Sequence, residues 1–333
     1  MVLFEAGERS AAQYVVQQQH AVAKALGEEE DAAGGHYAGV TQSFYDIATS
    51  FYMWGWGRSF HFAPRNAGEA FRASILRHEH WLAGQLDVRP GQRVMDLGCG
   101  VCGPLVNIAK FTRAAVTGVT IDEFQVGIGR QWIAANGLAS RCRVVHGDFH
   151  ALPFEAGSYE AGYDMEASAH STKLSTLFSE IHRCLTPGGT FCGMAWVTTP
   201  SYDASNAEHK RLIDGVAFGN GISVVHSFQD YKDAVAKVNG LELVCDFDMA
   251  LLGDDLPWYD PLLPKMTLEG VLSTRAGRIL TSSLAWLTER LGLAPAGAYL
   301  TAQVLEEAAV CLVKAGQLNI YTPMHFYKVR KVK

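Results

Sequence analysis

Between residues 92 and 198, short apolar runs alternate with longer stretches in which apolar positions recur three to four apart. Residues 93–97 (Arg-Val-Met-Asp-Leu) and 115–120 (Ala-Val-Thr-Gly-Val-Thr) read as buried strands. Residues 143–146 give a third strand, 160–165 a weaker fourth and 190–197 a fifth. The intervening segments 105–110, 123–136 and 172–185 carry the helical period. Strands alternating with helices place the strands side by side in parallel, with helices covering both faces. The expected fold is therefore α/β and Rossmann-like, with a mostly parallel, doubly wound sheet.

The flanks differ in texture. Residues 1–30 read as helix, and the acidic run at 28–31 followed by Gly34 and Gly35 reads as a solvated linker. Phe44, Tyr45, Phe51, Tyr52, Trp54, Trp56, Phe60 and Phe62 then crowd into one short segment. Beyond residue 200 the pattern is helical and irregular, with a turn at 258–261 and amphipathic helices over 268–291 and 299–315. A last strand is expected over 321–331. This divides the chain into a helical and aromatic segment (1–80), an α/β core (81–200) and an α-rich C-terminal region (201–333).

Apolar residues make up 48% of the 333, enough to fill the core of one large domain with an appended smaller one. The formal charge of −6 argues against nonspecific nucleic-acid binding, which needs clustered Lys and Arg. Seven scattered cysteines, an odd number in a long chain, argue against a disulfide framework. The N-terminus lacks the basic and apolar regions of a signal peptide, and no apolar run nears the ~20 residues of a spanning helix. A soluble, cytoplasmic protein is expected, with a peripheral membrane contact and homo-oligomerisation left open, and with no metal.

Chemistry enters at Asp96-Leu-Gly98-Cys-Gly100-Val-Cys-Gly103, which closes the first strand and opens a helix. Gly98, Gly100 and Gly103 fit G-x-G-x-x-G, a loop whose glycines let the backbone turn tightly and approach a ligand. Nicotinamide and flavin enzymes use the same motif. Asp122, about 20 residues on, stands where a dinucleotide enzyme keeps its ribose carboxylate, so an oxidoreductase is a competing reading. Cys99 and Cys102 form C-x-x-C, yet no second cysteine or histidine pair stands at zinc-like spacing. Two small packed side chains explain them better.

The chain closely resembles the sterol C-24 methyltransferases, a family of class I S-adenosylmethionine-dependent enzymes. The resemblance rests on Tyr45-Asp46 with the aromatic run 51–65, on Arg77-His-Glu-His80, and on the loop 98–104. It continues through 118–125, Gly147-Asp-Phe149, Glu166-Ala-Ser-Ala-His170, Trp258-Tyr-Asp-Pro-Leu262 and Thr322-Pro-Met324. Three positions depart from the family pattern: Cys102 stands in the loop where glycine is usual, Asp164 in a normally apolar stretch, and Ser171 where alanine is commoner.

The resemblance implies S-adenosyl-L-methionine as cofactor, a sterol with a Δ24 side-chain alkene as substrate, and a role in sterol biosynthesis. It implies that attack by C24 leaves positive charge near C25, followed by a hydride shift and loss of a proton. Aromatic faces suit such a cation, at about 0.5–2 kcal/mol each, and exclude the water that would trap it. From composition alone these aromatics read equally well as core. The resemblance turns Tyr45, Tyr52, Trp54, Trp56, Phe60 and His61 into pocket candidates, with Tyr52 also a catalytic one. Glu166 is the first choice of base, with His170 and Asp164 as alternatives. Asp96, Gly98, Gly100 and Gly103 are expected at the methionine end of the cofactor, Thr120, Ile121 and Gln125 near ribose or adenine, and Asp148 and Phe149 at the adenine. Competing readings are a related small-lipid methyltransferase, such as one forming cyclopropane fatty acids, and an inactive sterol-binding protein.

Overall fold

A computed structural model describes residues 49, 52–53, 55–253, 255–263, 290–291 and 298–332. The expected helix over 1–30, Tyr45, Trp54 and nearly all of the expected helix over 268–291 lie outside these. Along the described chain the helices are α1 (Phe71–Gln85), α2 (Gly103–Thr112), α3 (Glu123–Ala135), α4 (Leu174–Cys184), α5 (Ala207–Gly219), α6 (Phe228–Ala236) and α7 (Ala298–Gln317). The strands are β1 (Arg93–Leu97), β2 (Ala115–Thr120), β3 (Arg143–His146), β4 (Tyr159–Met165), β5 (Leu185–Thr198), β6 (His226–Ser227), β7 (Leu241–Asp248) and β8 (Tyr321–Lys331).

The chain divides into two compact units. One comprises Tyr52–Thr199, His226–Trp258 and Thr322–Lys333 and holds the sheet. Its strand order is β3-β2-β1-β4-β5-β8-β7, with β6 beside β5. Neighbours from β3 through β5 are parallel, and β7 runs antiparallel to β8. The other unit contains α5 and α7, which meet where Gly219 and Gly215 leave room for Ala308 and Cys311. No helix among the described residues is long and apolar enough to cross a membrane.

The five core strands expected from the sequence are present, and the last expected strand is β8. The irregular helical reading beyond residue 200 is corrected by β7. This strand pairs with β8 on one side and is only partly buried, so it lacks the continuous apolar run that marks β1 and β2. The boundary expected at 80/81 falls inside α1, and residues 226–258 and 322–333 belong to the sheet unit.

Packing explains the local choices. Met95, Leu97, Phe178, Phe191, Tyr231 and Tyr327 share one buried cluster, and Gly162 has no side chain because Met95 and Phe191 fill that space. Asp122 caps α3 by accepting the Phe124 and Gln125 amides, and Ser227 with Asp230 forms a reciprocal capping box on α6. Strand order reverses between β1 and β4. Open parallel sheets bind ligands outside the carboxyl ends of the strands at such a reversal, so the loops after β1 and β4 frame the site. Phe178→Ala, which empties the centre of the cluster, is expected to lower unfolding free energy by about 3–5 kcal/mol in a denaturant titration.

Candidate active site

The loop after β1 meets its counterpart after β4 at close range. Gly98 (φ 70°) and Gly100 (φ 51°) adopt left-handed backbone, which favours glycine. A Cβ on Gly98 would overlap the Ala167 side chain, and one on Gly103 would overlap the Arg58 carbonyl. A Cβ on Gly100 would lie 3.8 Å from Phe60, an ordinary contact. The loop is thus seated against both the turn after β4 and the aromatic segment. Cys99 and Cys102 are buried with their sulfurs 3.9 Å apart and pack against Gly118 and Gly129.

At the end of β2, Thr120 Oγ1 donates to Gln125 Oε1 at 2.7 Å, and both residues are buried. The Ile121 carbonyl accepts from His146 Nε2 at 3.0 Å. Asp122 is buried; its Oδ1 caps α3, while its Oδ2 has no hydrogen-bond partner. Such an orphaned acceptor, at the same sheet edge as the glycine loop, fits a ribose hydroxyl. The sequence reading reserved Asp122 for a dinucleotide enzyme; its spacing from the loop was the signal. Asp148 Oδ1 accepts from the His150 amide at 2.8 Å, and Phe149 stands edge-on to the His150 ring at 4.8 Å. These residues offer left-handed glycines, a ribose acceptor and an aromatic face, so they fit a nucleoside-bearing cofactor.

Three buried carboxyls gather at the ends of β1 and β4. Asp96 accepts from the Tyr163 hydroxyl at 2.9 Å, and burial with nearby Asp164 pushes it up to about 8. Asp164 accepts from the Ser168 amide (2.7 Å) and the Tyr327 hydroxyl (3.3 Å), and burial raises it to about 7. Glu166 is held by both oxygens: the Phe62 amide donates to Oε1 at 2.8 Å and the Trp196 indole to Oε2 at 2.7 Å. Burial pushes Glu166 up to about 8, against the pull of His61, Trp196 and Phe62. Its backbone lies in the left-handed region (φ 67°), a conformation that costs a non-glycine residue about 1–3 kcal/mol and gathers at functional sites. His170 is buried in the following 3₁₀ turn, its amide donating to the Ala167 carbonyl.

Around Glu166 the aromatic rings interlock. Phe62 meets Trp56 at 5.3 Å, Trp258 at 5.3 Å and Trp196 at 5.7 Å, and Trp56 also meets Phe71 at 4.9 Å. Tyr52 and Phe60 pair at 5.3 Å beside the glycine loop. The Trp56 indole donates to the His61 carbonyl. His61 is buried with both ring nitrogens engaged, Nδ1 at 2.7 Å from the Phe62 carbonyl and Nε2 at 3.2 Å from Glu79. Sequence reasoning missed Glu79, Trp196 and Trp258 as parts of one cluster. Glu79 and Trp258 stood in noted motifs, whereas Trp196 carried no signal beyond its place at the end of a strand.

This fold and loop suit a class I S-adenosylmethionine-dependent methyltransferase, and the relatives of the chain decide for that class over a nicotinamide enzyme. The methyltransferase-domain family matches residues 94–189, and the family described as "Sterol methyltransferase C-terminal" matches residues 268–332. The chain is 42% identical over 306 residues to cycloartenol-C-24-methyltransferase 1 of Oryza sativa subsp. japonica, covering 92% of this chain and 88% of that protein. It is 37% identical over 312 residues to the sterol 24-C-methyltransferase of Debaryomyces hansenii, covering 91% and 82%. Among solved structures, the cyclopropane synthase MmaA2 of Mycobacterium tuberculosis aligns with a TM-score of 0.69 at 12% identity, covering 90% of this chain and 100% of that one, a likeness of fold alone. The chain belongs to the sterol 24-C-methyltransferase family.

Two outcomes follow from this geometry. Gly98→Ala should weaken S-adenosylmethionine binding in calorimetry, because a side chain at this left-handed position meets Ala167 and the loop must shift to admit it. The raised carboxyls give stability that is fully present below their unfolded pKa and is lost as pH rises through their folded values. The melting temperature of the ligand-free protein should therefore fall from pH 7 to 9, as Asp164, Asp96 and Glu166 lose protons. Buried His78, whose neutral form is favoured, acts in the opposite sense only at lower pH.

Proposed function

We propose that this chain transfers a methyl group to C24 of a sterol side-chain Δ24 alkene, with Glu166 as the base that ends the reaction. The observation that carries the proposal is a buried carboxyl on a strained turn, bonded to the Phe62 amide and the Trp196 indole, with the Phe62 ring packed against Trp56, Trp196 and Trp258, and abutting the glycine loop through Ala167. Bound S-adenosylmethionine supplies an electrophilic methyl on a cationic sulfur. Asp96, Gly98, Gly100 and Gly103 shape the methionine end, and Asp122 holds the ribose. Thr120, Ile121 and Gln125 flank the nucleoside, and Asp148 and Phe149 meet the adenine.

A Δ24 alkene needs no base to begin its attack, since its π electrons form the new bond. The protein's task is to line up the alkene, keep water out and tolerate positive charge on carbon. Aromatic faces meet the last two needs. Tyr52 and Phe60, beside the loop, extend the same wall, and Tyr45 and Trp54 belong to it by sequence. Trp196 and the Phe62 amide aim the Glu166 carboxylate, which stabilises the cation and then takes the proton. Asp164 and Glu166 each accept two donors, and Glu166 is favoured because its donors, Phe62 and Trp196, belong to the aromatic cluster, whereas those of Asp164 are Ser168 and Tyr327. His170, four residues on in the same turn, is the second candidate. Exposed Leu251 and Leu252, after β7, suit a peripheral contact with the membrane that stores the water-insoluble acceptor.

With a Δ24 sterol and S-adenosylmethionine, mass spectrometry should reveal a product one methylene heavier. Glu166→Gln should leave cofactor affinity within a few-fold and lower kcat by about 10²-fold or more. Unchanged turnover would remove Glu166 from the mechanism, and no product from the parent enzyme with any Δ24 sterol would remove the proposed reaction.

A further inference from the structure

Glu79 is buried in the middle of α1, within the Arg77-His-Glu-His80 motif, and plays no part in the chemistry above. Its carboxyl collects three partners from two other parts of the chain. Ser59 Oγ donates to Oε1 at 2.6 Å, His61 Nε2 lies 3.2 Å from the same oxygen, and Asn107 Nδ2 donates to Oε2 at 2.7 Å. With Ser59 and His61 at one oxygen and the Asn107 amide at the other, both carboxyl oxygens have a donor within reach, the arrangement that favours an ionised carboxylate.

The other ring nitrogen of His61 settles the hydrogen count. Nδ1 lies 2.7 Å from the Phe62 carbonyl, which can only accept, so Nδ1 carries a hydrogen. Opposite an ionised Glu79, Nε2 carries one as well. The ring is then an imidazolium. It stands next in sequence to Phe62, whose amide donates to Glu166.

We propose that Glu79 is a positioning residue acting through His61: it holds the imidazole as a buried cation, and that cation shifts Glu166 toward its base form. The role given to Glu166 rests on the reaction proposed above; the charge on His61 does not. The surroundings are consistent on every side. Glu79 and His78 face the ring from α1, with His78 at 5.8 Å, and Asp96 from β1 and Glu166 from the turn after β4 add negative charge as they ionise. Asn107 of α2 and Ser59 are neutral. His78 is driven well below its ordinary value by burial and by the His61 charge, so it does not compete for the proton. Carboxylates outweigh cations around His61, and its own value is raised despite complete burial. For Glu166, burial favours the neutral form and Asp164 adds to it, while the His61 cation and the Trp196 and Phe62 donors pull toward the base.

The test uses the full chain without substrate. In ¹⁵N-histidine NMR, the His61 signal is identified by its loss in His61→Gln. Both its ring nitrogens should carry hydrogens at pH 7 in the parent protein, and the ring should turn neutral in Glu79→Gln. By ¹³C-carboxyl NMR, the titration midpoint of Glu166 should rise by about one unit or more in Glu79→Gln. A neutral His61 in the parent protein would overturn the proposal even if Glu79→Gln failed to fold, as would an unmoved Glu166 midpoint in a folded variant. With a Δ24 sterol, Glu79→Gln should lose turnover about tenfold at pH 7 and recover it at higher pH, with cofactor affinity within about twofold. A loss equal at all pH values would mean a merely structural role. If the parent enzyme methylates no sterol, the reaction falls, and the two NMR readouts still decide the charge on His61.

Discussion

The arrangement depends on the two hydrogen bonds that Glu166 accepts. The residue sits where the sheet reverses direction, in a backbone conformation that side chains avoid. One carboxylate oxygen takes the amide of Phe62, 104 positions earlier in the chain, and the other takes the indole of Trp196 on the neighbouring strand. These bonds fasten the aromatic segment over the carboxyl ends of β4 and β5. Without them the segment would lose its bond to Glu166 and keep those of Ser59 and His61 to Glu79, and the Glu166 carboxyl would be buried without partners, a costly state. One ionisable side chain thus ties the aromatic segment to the ends of two central strands.

A second consequence concerns dielectric. Asp96, Asp164, Glu166, Glu79 and His61 are all buried. In such surroundings each proton placement alters its neighbours strongly, because interior charges are poorly screened. The site resolves this by giving most of its carboxyl oxygens a named donor: Tyr163 for Asp96, Ser168 and Tyr327 for Asp164, and Ser59, Asn107 and His61 for Glu79. An aromatic cluster around Phe62 therefore adjoins a hydrogen-bonded polar layer, with Glu166 bonded to the first and buried among the second.

Much of this was legible in the residues. Runs such as 93–97 and 115–120 announce strands buried on both faces, and those strands carry the glycine loop and Gln125. The final strand at 321–331 was also readable, because aromatic and β-branched residues recur along it. β7 was not: as a half-covered strand it mixes Glu242, Asp246 and Asp248 with its apolar positions and mimics a loop. The turn bearing Glu166 could be located by family resemblance, whereas its left-handed backbone and its bond to Trp196 are products of tertiary packing that no local pattern encodes. Similarly, Asp122 could be picked out by spacing, but its unpartnered oxygen required coordinates.

The central claim is that a carboxylate and its aromatic surround are built for a positive charge on the sterol side chain. The most direct measurement compares binding of two sterols of the same shape, one with a permanently charged nitrogen at the position of the cation and one neutral there. The account predicts that the charged analogue binds at least about tenfold more tightly, since a stable mimic of the transient species captures the interactions reserved for it, and that this preference disappears in Glu166→Gln. Equal affinities, or a preference that survives loss of the carboxylate, would contradict it.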